Sequence, residues 1–254
     1  MKLTRLDVLL AESGLCKSRE HGQALILSGA VWTRTRRLDK PGMRVDRETP
    51  LEIKELRPAF VSRGGYKLQH ALDFFHINPS GRVCLDIGAS TGGFTDCLLK
   101  KGAEHVFCVD VGYGQLDSHL RQDMRVTLLE KTNARNLTRC ELEHADEKAR
   151  LISLITIDVS FISLKKVIAP LAEQLGYTRD WIVLFKPQFE VGRKFVGKGG
   201  VVRENAMVEP SLKGFHDYMD SLGFLLKHGP ELSPIAGKKS GNLEYLIHYE
   251  LHSR

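Results

Sequence analysis

The chain has 254 residues, 42% of them hydrophobic and 27% charged, with a net charge of +6 and a pI near 9.0; that composition fits a globular protein of one large domain plus a small one, and it points toward an anionic partner. No apolar run reaches the length of a membrane-spanning helix, five cysteines without C-x-x-C spacing exclude a disulfide framework, a zinc ribbon or an iron–sulfur cluster, and the ten histidines form no metal-ligand spacing. The N-terminus lacks the apolar core of a signal peptide, so the expected location is the cytoplasm.

Residues 1–57 hold twelve Lys/Arg against eight Asp/Glu, a disproportionate share of the positive charge. Leu3, Leu6, Leu9 and Leu10 have helical spacing, which predicts a helix over Leu3–Glu12 closed by Gly14. Ser18 is a good cap for a second helix, Arg19–Ser28, with Gly29 after it. Ala30–Thr33 reads as a strand, Lys40-Pro41-Gly42 as a turn, and Pro50–Lys54 as a closing strand. On this small α+β module Arg5, Lys17, Arg19, Arg34, Arg36, Arg37, Lys40 and Arg44 lie in reach of one face. The pattern suits phosphate contacts to RNA, and a merely solvated basic surface is the alternative.

Pro58 favours extended backbone and marks a linker, residues 58–63, ahead of a large domain over 64–254. Arg63-Gly64-Gly65 is a loop in which Arg63 is a candidate RNA contact, and Tyr66–Ile77 has a helical pattern. Lys67 then falls at a helix start, where the helix dipole opposes a cation. Val83–Asp86 is a strand that runs into the glycine bend Gly88-Ala89-Ser90-Thr91-Gly92-Gly93 and a helix from Phe94 to Gly102. Strand, glycine turn and helix form the first unit of a doubly wound α/β sheet, which presents bare backbone N–H groups to a ligand. Where a dinucleotide site has its first glycine, this chain has Asp86. A carboxylate there repels a pyrophosphate and suits the cationic S-adenosylmethionine (SAM), which disfavours an NAD-linked oxidoreductase. The alternative is an ordinary β-α-β unit with a capping acid.

His105–Asp110 is the second strand, and the position of Asp110 suits ribose hydroxyls. Arg125–Leu129 is the third; Asn133 beyond it is placed to address an adenine. Leu151–Asp158 and Trp181–Lys186 are buried parallel-type strands joined by a helix over Leu164–Leu175. A helix around Ser211–Leu222 and strands at Phe224–Lys227 and Leu243–Leu251 complete the sheet. Four strand ends therefore carry Asp86, Asp110, Asp158 and Lys186 to the carboxyl edge, where ligands of open α/β sheets bind. Base N-methylation commonly uses Asn/Asp-Pro-Pro-aromatic, whereas this chain has Asp158-Val159-Ser160-Phe161, and no cysteine follows a relevant strand. A hydroxyl acceptor needs help losing a proton, and a lysine whose pKa is lowered by burial and a second cation can give it. Lys67, Asp158, Lys186 and Glu244 are the candidates; a structural ion-pair network is the alternative.

In order and local context these four resemble the Lys-Asp-Lys-Glu tetrad of FtsJ-type RNA ribose 2′-O-methyltransferases. Val61-Ser62-Arg63-Gly64-Gly65-Tyr66-Lys67-Leu68, Asp86–Thr95, Asp158–Leu164 and Lys186-Pro187-Gln188-Phe189-Glu190 together resemble the TlyA, or haemolysin A, family across nearly the whole chain. The basic module resembles the S-four (αL) RNA-binding motif, with Val31-Trp32-Thr33-Arg34-Thr35 where that motif commonly has Val-x-Val-Asn-Gly. The resemblance implies a Rossmann-like SAM-dependent methyltransferase domain behind a small α+β RNA-binding domain. It also implies methylation of cytidine ribose 2′-hydroxyls in ribosomal RNA or ribosomal subunits. It places Gly88, Ala89, Ser90, Gly92, Gly93 and Phe94 at the methionine of SAM, with Asp110 at its ribose and Asn133 near its adenine. Phe161 is then either a platform for an everted base or a core residue. The Gly/Lys-rich segment from Gln188 to Val202 is read as a flap that meets RNA through Arg193, Lys194 and Lys198, or as a solvated loop. A membrane-active haemolysin and a non-catalytic SAM- and RNA-binding protein are the competing functions. No metal is expected, and oligomeric state is not encoded in these motifs.

Overall fold

The computed structural model describes residues 3–27, 29–54, 59–202, 207–235 and 242–252. Residues 1–59 and 60–254 form two separate units. In the first, the chain runs β1 (Leu3–Arg5), α1 (Leu6–Glu12), α2 (Arg19–Leu27), β2 (Val31–Trp32), β3 (Arg44–Asp46) and β4 (Glu52–Ile53). β1 pairs antiparallel with β3, Thr4 opposite Val45, and β2 pairs with β4. The expected first helix therefore starts three residues late, because Leu3–Arg5 is used in a ladder with a strand 40 residues away that no local pattern announces.

Leu6, Leu10, Ile26, Val31 and Leu38 are almost wholly buried between the helices and these ladders. Each such side chain contributes roughly 1.5–3 kcal/mol of burial, a small core for a small unit. One acid sits inside it. Asp7 is inaccessible to solvent and accepts hydrogen bonds from Arg5 (two, both 3.0 Å), Arg19 (2.9 Å) and Gln23 (2.8 Å). Arg5 above all, then Gln23 and Arg19, hold its carboxyl well below the usual range despite burial.

The large unit continues α3 (Gly64–Phe74), β5 (Val83–Ile87), α4 (Gly93–Lys100), β6 (His105–Val109), α5 (Ser118–Arg121), β7 (Val126–Leu129), α6 (Arg139–Ala145), β8 (Ile152–Ile157), α7 (Lys165–Gln174), β9 (Asp180–Phe185), α8 (Pro187–Glu190), α9 (Val208–Ser221), β10 (Phe224–Leu232) and β11 (Tyr245–Leu251). The sheet has seven strands in the order β10-β11-β9-β8-β5-β6-β7. β5 to β9 are mutually parallel, and β11 is inserted antiparallel between β9 and β10. Strand order reverses between β5 and β8, the switch point at which such sheets open a crevice at their carboxyl edge. β5 and β6 are buried along their whole length, as strands covered on both faces by helices must be. One core packs around Leu85, Ile87, Ile155, Trp181 and Phe185, and the other around Leu68, Cys84, Phe94, Leu98 and Cys108.

Of the expected linker, Pro58 lies outside the described residues, and from Phe60 onward the segment is part of the large unit. Phe60 is buried, its ring meets that of Tyr66 edge-on at 5.1 Å, and Val61 N donates to Asp96 Oδ2 at 2.9 Å. Among the described residues no helix is long and apolar enough to cross a membrane.

Candidate active site

The bend after β5 owes its shape to close approaches. Gly88 has φ +83°, and a Cβ on it would lie 2.6 Å from the carbonyl oxygen of Asp158; only glycine lets the β5 and β8 loops meet there. A Cβ on Gly93 would lie 2.2 Å from Ser62 Oγ, so the start of α4 is pressed onto the loop that leads into α3. These approaches close a cavity of about 650 Å³ lined by Arg63, Gly88, Ala89, Ser90, Gly93 and Phe94. Gly92, the N-cap of α4, lies instead against Leu116 and Leu120 and is not part of that lining.

Asp110 directly follows β6. Its Oδ2 accepts from Ser90 N at 2.8 Å and its Oδ1 from Gly112 N at 2.7 Å, tying the glycine bend to the next loop. With Asn133 it lines an adjoining cavity of about 550 Å³, which shares Gly88, Ser90, Asp158 and Ser160 with the first.

Asp86 is not where the sequence pattern puts it. It lies inside β5, one residue before the strand ends, is fully buried, and lines neither cavity. Successive side chains alternate between sheet faces, so Asp86 shares the α4 side with Cys84. There its Oδ2 accepts from Thr95 Oγ1 (2.7 Å) and its Oδ1 from Thr156 Oγ1 (3.3 Å). Burial, with a smaller contribution from the Asp158 charge, pushes its carboxyl up to about 7 against the opposing hydrogen bonds of the threonines. It anchors the strand to the helix from below and does not touch the cavity.

Four charged side chains converge on the larger cavity. Lys67 stands in the first turn of α3 and pairs with Glu244, which immediately precedes β11; both are buried. Because β11 runs antiparallel to β9, its start lies at the same edge as the end of β9, where Lys186 stands. Lys186 is 7% exposed. Its Nζ donates to Ser160 Oγ at 2.9 Å and lies 2.5 Å from Oδ1 of Asp158, the residue after β8. That ammonium meets both Ser160 and Asp158, so the Asp158 carboxylate is held against Lys186 at the cavity wall. Two cations and two carboxylates offset one another's burial cost, while the cavity leaves hydrogen-bonding capacity for a small polar group. A hydroxyl placed there can donate to a carboxylate or to an unprotonated lysine. Ser160 was not singled out by sequence reasoning; its signal was its place two residues after Asp158, in the same loop.

Phe161 is 91% exposed and has φ +65°, which rules out a core role. Its loop is pinned by Glu190, whose carboxylate accepts from Ser163 Oγ and Leu164 N, both at 2.7 Å. The segment after Lys186 is folded: it holds α8, short turns at Arg193–Phe195 and Lys198–Gly200, and a bridge between Val196 and Val202. Asn242 fastens it by donating to Gly200 O (2.7 Å) and accepting from Val202 N (3.0 Å). The side chains of Arg193 and Lys198 lie outside the described residues. In the small unit Lys17 and Arg36 are exposed, Arg36 in the turn closed by Thr33 N to Arg36 O (2.8 Å). Arg5 and Arg19 are exposed too, with part of each guanidinium committed to Asp7.

Comparison with known proteins gives the same division. The model of the FtsJ-like methyltransferase family matches residues 60–251, and that of the S4 domain matches residues 4–50. Hemolysin A of Brachyspira hyodysenteriae is 38% identical over 96% of this chain and 99% of its own. The 16S/23S rRNA (cytidine-2′-O)-methyltransferase TlyA of Mycobacterium tuberculosis is 42% identical over 96% of this chain and 88% of its own. A solved structure of a Streptococcus thermophilus protein carrying a hemolysin name superposes with TM-score 0.71 at 40% identity, covering 99% of this chain and 89% of that one. The chain therefore belongs to the FtsJ-like methyltransferases, in the TlyA/haemolysin A family, and carries an S4 domain ahead of its methyltransferase domain.

Proposed function

We propose that this chain is a SAM-dependent ribosomal RNA (cytidine) ribose 2′-O-methyltransferase. The observation that carries the reading is the convergence of Lys67, Asp158, Lys186 and Glu244 on one cavity beside the glycine bend. The cavities fit the cofactor: bare backbone at Gly88, a carboxylate at Asp110 and an amide at Asn133 line adjoining volumes of about 650 and 550 Å³. Gly88, Ala89, Ser90, Gly93 and Phe94 would hold the methionine part, Asp110 the ribose and Asn133 the adenine. When bound, SAM supplies a methyl group already activated on a cationic sulfur.

The chain's own residues then have three tasks. Lys186 faces the ribose 2′-hydroxyl and guides or accepts its proton, with Asp158 and Ser160 fixing the direction of the amine. The Lys67–Glu244 pair adds its charges to the same lining and holds α3 to the start of β11. Phe161 offers an aromatic face at the rim for an everted base. Lys17 and Arg36, with Arg63 at the cavity mouth, would supply phosphate contacts in the cytoplasm, where ribosomal RNA or subunits are the partner; Arg5 and Arg19 would add what Asp7 leaves of theirs.

The test uses tritiated-methyl SAM and ribosomal RNA from cells that lack the modification. Wild type transfers label, and Lys186→Ala loses about 10²–10⁴ in turnover while SAM binding persists by calorimetry. Near-normal turnover by that variant contradicts the assigned chemistry.

A further inference from the structure

Beyond the two cavities already described lies a third, of about 650 Å³. Phe161, Ile162 and Arg135 line both this cavity and the Asp110–Asn133 one, so the two adjoin. Phe189 of α8, half-buried, also lines the third cavity, its ring centroid 5.4 Å from that of Phe161 and tilted by 53°, so the two rings touch and form one aromatic surface. Four polar side chains share the lining: exposed Arg135 and Lys166, Gln188, and Ser163, which is committed to Glu190. The Oε1 of Gln188 is buried and meets no donor among the described residues.

Each feature is costly without a ligand. A bulky residue in the left-handed region is strained, and this one leaves an aromatic ring in water, a combination that points to a function for the ring. A buried amide oxygen with no partner costs the desolvation of that oxygen. Aromatic faces, a primary amide and two cations around one volume match the parts of a nucleotide. The rings stack on a base, the amide pairs with its Watson–Crick edge as donor and acceptor together, and the cations meet the phosphate. Ser160, the neighbour of Phe161, takes the hydrogen bond of Lys186, and Gln188 and Phe189 follow Lys186 by two and three residues. Sugar and base of one nucleotide can therefore span the two sites.

We propose that this third cavity is the base pocket for the nucleotide whose ribose reaches Lys186, with Phe161 and Phe189 as its aromatic face, Gln188 as its polar contact to the base and Lys166 and Arg135 as its phosphate contacts. The pocket rests on the ribose-methylation reading and names the residues that select the base. An amide that accepts from N4–H and donates to N3 suits cytosine.

The experiment takes the full chain with ribosomal RNA from cells lacking the modification and compares wild type with Phe189→Leu, Gln188→Ala and Lys166→Glu. Phe189→Leu keeps the apolar volume and Lys166→Glu changes an exposed position, so a general loss of folding does not explain their effects. The expected result is a rise in KM for RNA of about tenfold in each, with SAM affinity changed by less than about twofold. KM unmoved in all three variants overturns the pocket. In parallel, wild type is cross-linked to the same RNA by ultraviolet light and its peptides are mapped by mass spectrometry. An adduct on the peptide containing Phe189 is expected, and adducts confined to the small unit overturn the pocket. Should wild type methylate no RNA yet cross-link at Phe189, the base pocket stands and the ribose-methylation reading falls.

Discussion

Asp7 in the small unit and Asp158 in the large one both sit beside basic side chains, and they differ in what is left over. Asp7 is sealed from solvent and takes hydrogen bonds from Arg5, Arg19 and Gln23. Its carboxylate is saturated, so the cluster can only tie α1 to α2. Asp158 is paired with Lys186 at 2.5 Å but lines a cavity, where its carboxylate can still meet a further donor. A satisfied polar cluster holds a fold together; one that keeps unspent capacity next to a cavity is where chemistry can be done.

The sharpest way to break this contrast is to cut into the open cluster. Lys186→Ala and Asp158→Ala should each lower methyl transfer by about 10²–10⁴, and the double variant should lose little more than the worse single one, as groups that act as a unit do. Effects that multiply fully would mean that the two side chains work independently. A smaller effect is expected in the small unit, where exposed charge is assigned to RNA binding. Replacing Arg34, Arg36 and Arg37 together by alanine should weaken RNA binding by about tenfold or more and flatten its salt dependence, with SAM affinity unchanged. A titration that keeps the wild-type salt slope would remove these arginines from the interface.

Two further substitutions compare buried acids with opposite neighbours. Asp86 is surrounded by hydroxyls and its carboxyl is pushed up to about 7. The folded chain thus holds a proton that the unfolded chain has released, and stability falls as pH rises from the ordinary carboxylate range through about 7. Asp86→Asn removes that dependence, so its gain in Tm over wild type should be larger at about pH 8.5 than at about pH 5.5, by about 3–6 °C. An equal gain at both values would show that the buried carboxyl is not the cause. Asp7, held down by Arg5, behaves oppositely: its contribution is complete above the ordinary carboxylate pKa and is lost as pH falls toward strong acid. Asp7→Asn should cost the small unit about 1 kcal/mol near neutral pH, read by denaturant unfolding, and no change there would make the cluster ornamental.

Much of the large unit is legible in the sequence because β6, β8 and β9 are mostly apolar runs, each followed at once by a charge. Asp110, Asp158 and Lys186 each fall on the residue after β6, β8 and β9. Lys67 is read at the start of a helix and, with Glu244, matched through the resemblance to the Lys-Asp-Lys-Glu tetrad, and both reach the cavity. Asp86 was misplaced because a shift of one residue along a strand turns the side chain to the other face, and burial on both faces of β5 leaves no polar alternation to reveal it. β3 was missed since three residues, Arg44–Asp46, show no period, and their pairing with β1 is fixed by the fold rather than by local sequence. Ser160 and Gln188 were invisible for a related reason: a serine in a loop and a glutamine in a four-residue helix have no pattern of their own. Their meaning comes from the lysine at 2.9 Å and from the unpartnered amide oxygen.

The nucleoside that carries the new methyl group decides the central claim. Ribosomal RNA from cells lacking the modification is treated with the wild-type chain and SAM, digested to nucleosides and resolved by liquid chromatography and mass spectrometry. A cavity built from Lys67, Asp158, Lys186 and Glu244 for a sugar hydroxyl predicts 2′-O-methylcytidine. A base-methylated nucleoside in its place, with the ribose unmodified, would contradict it.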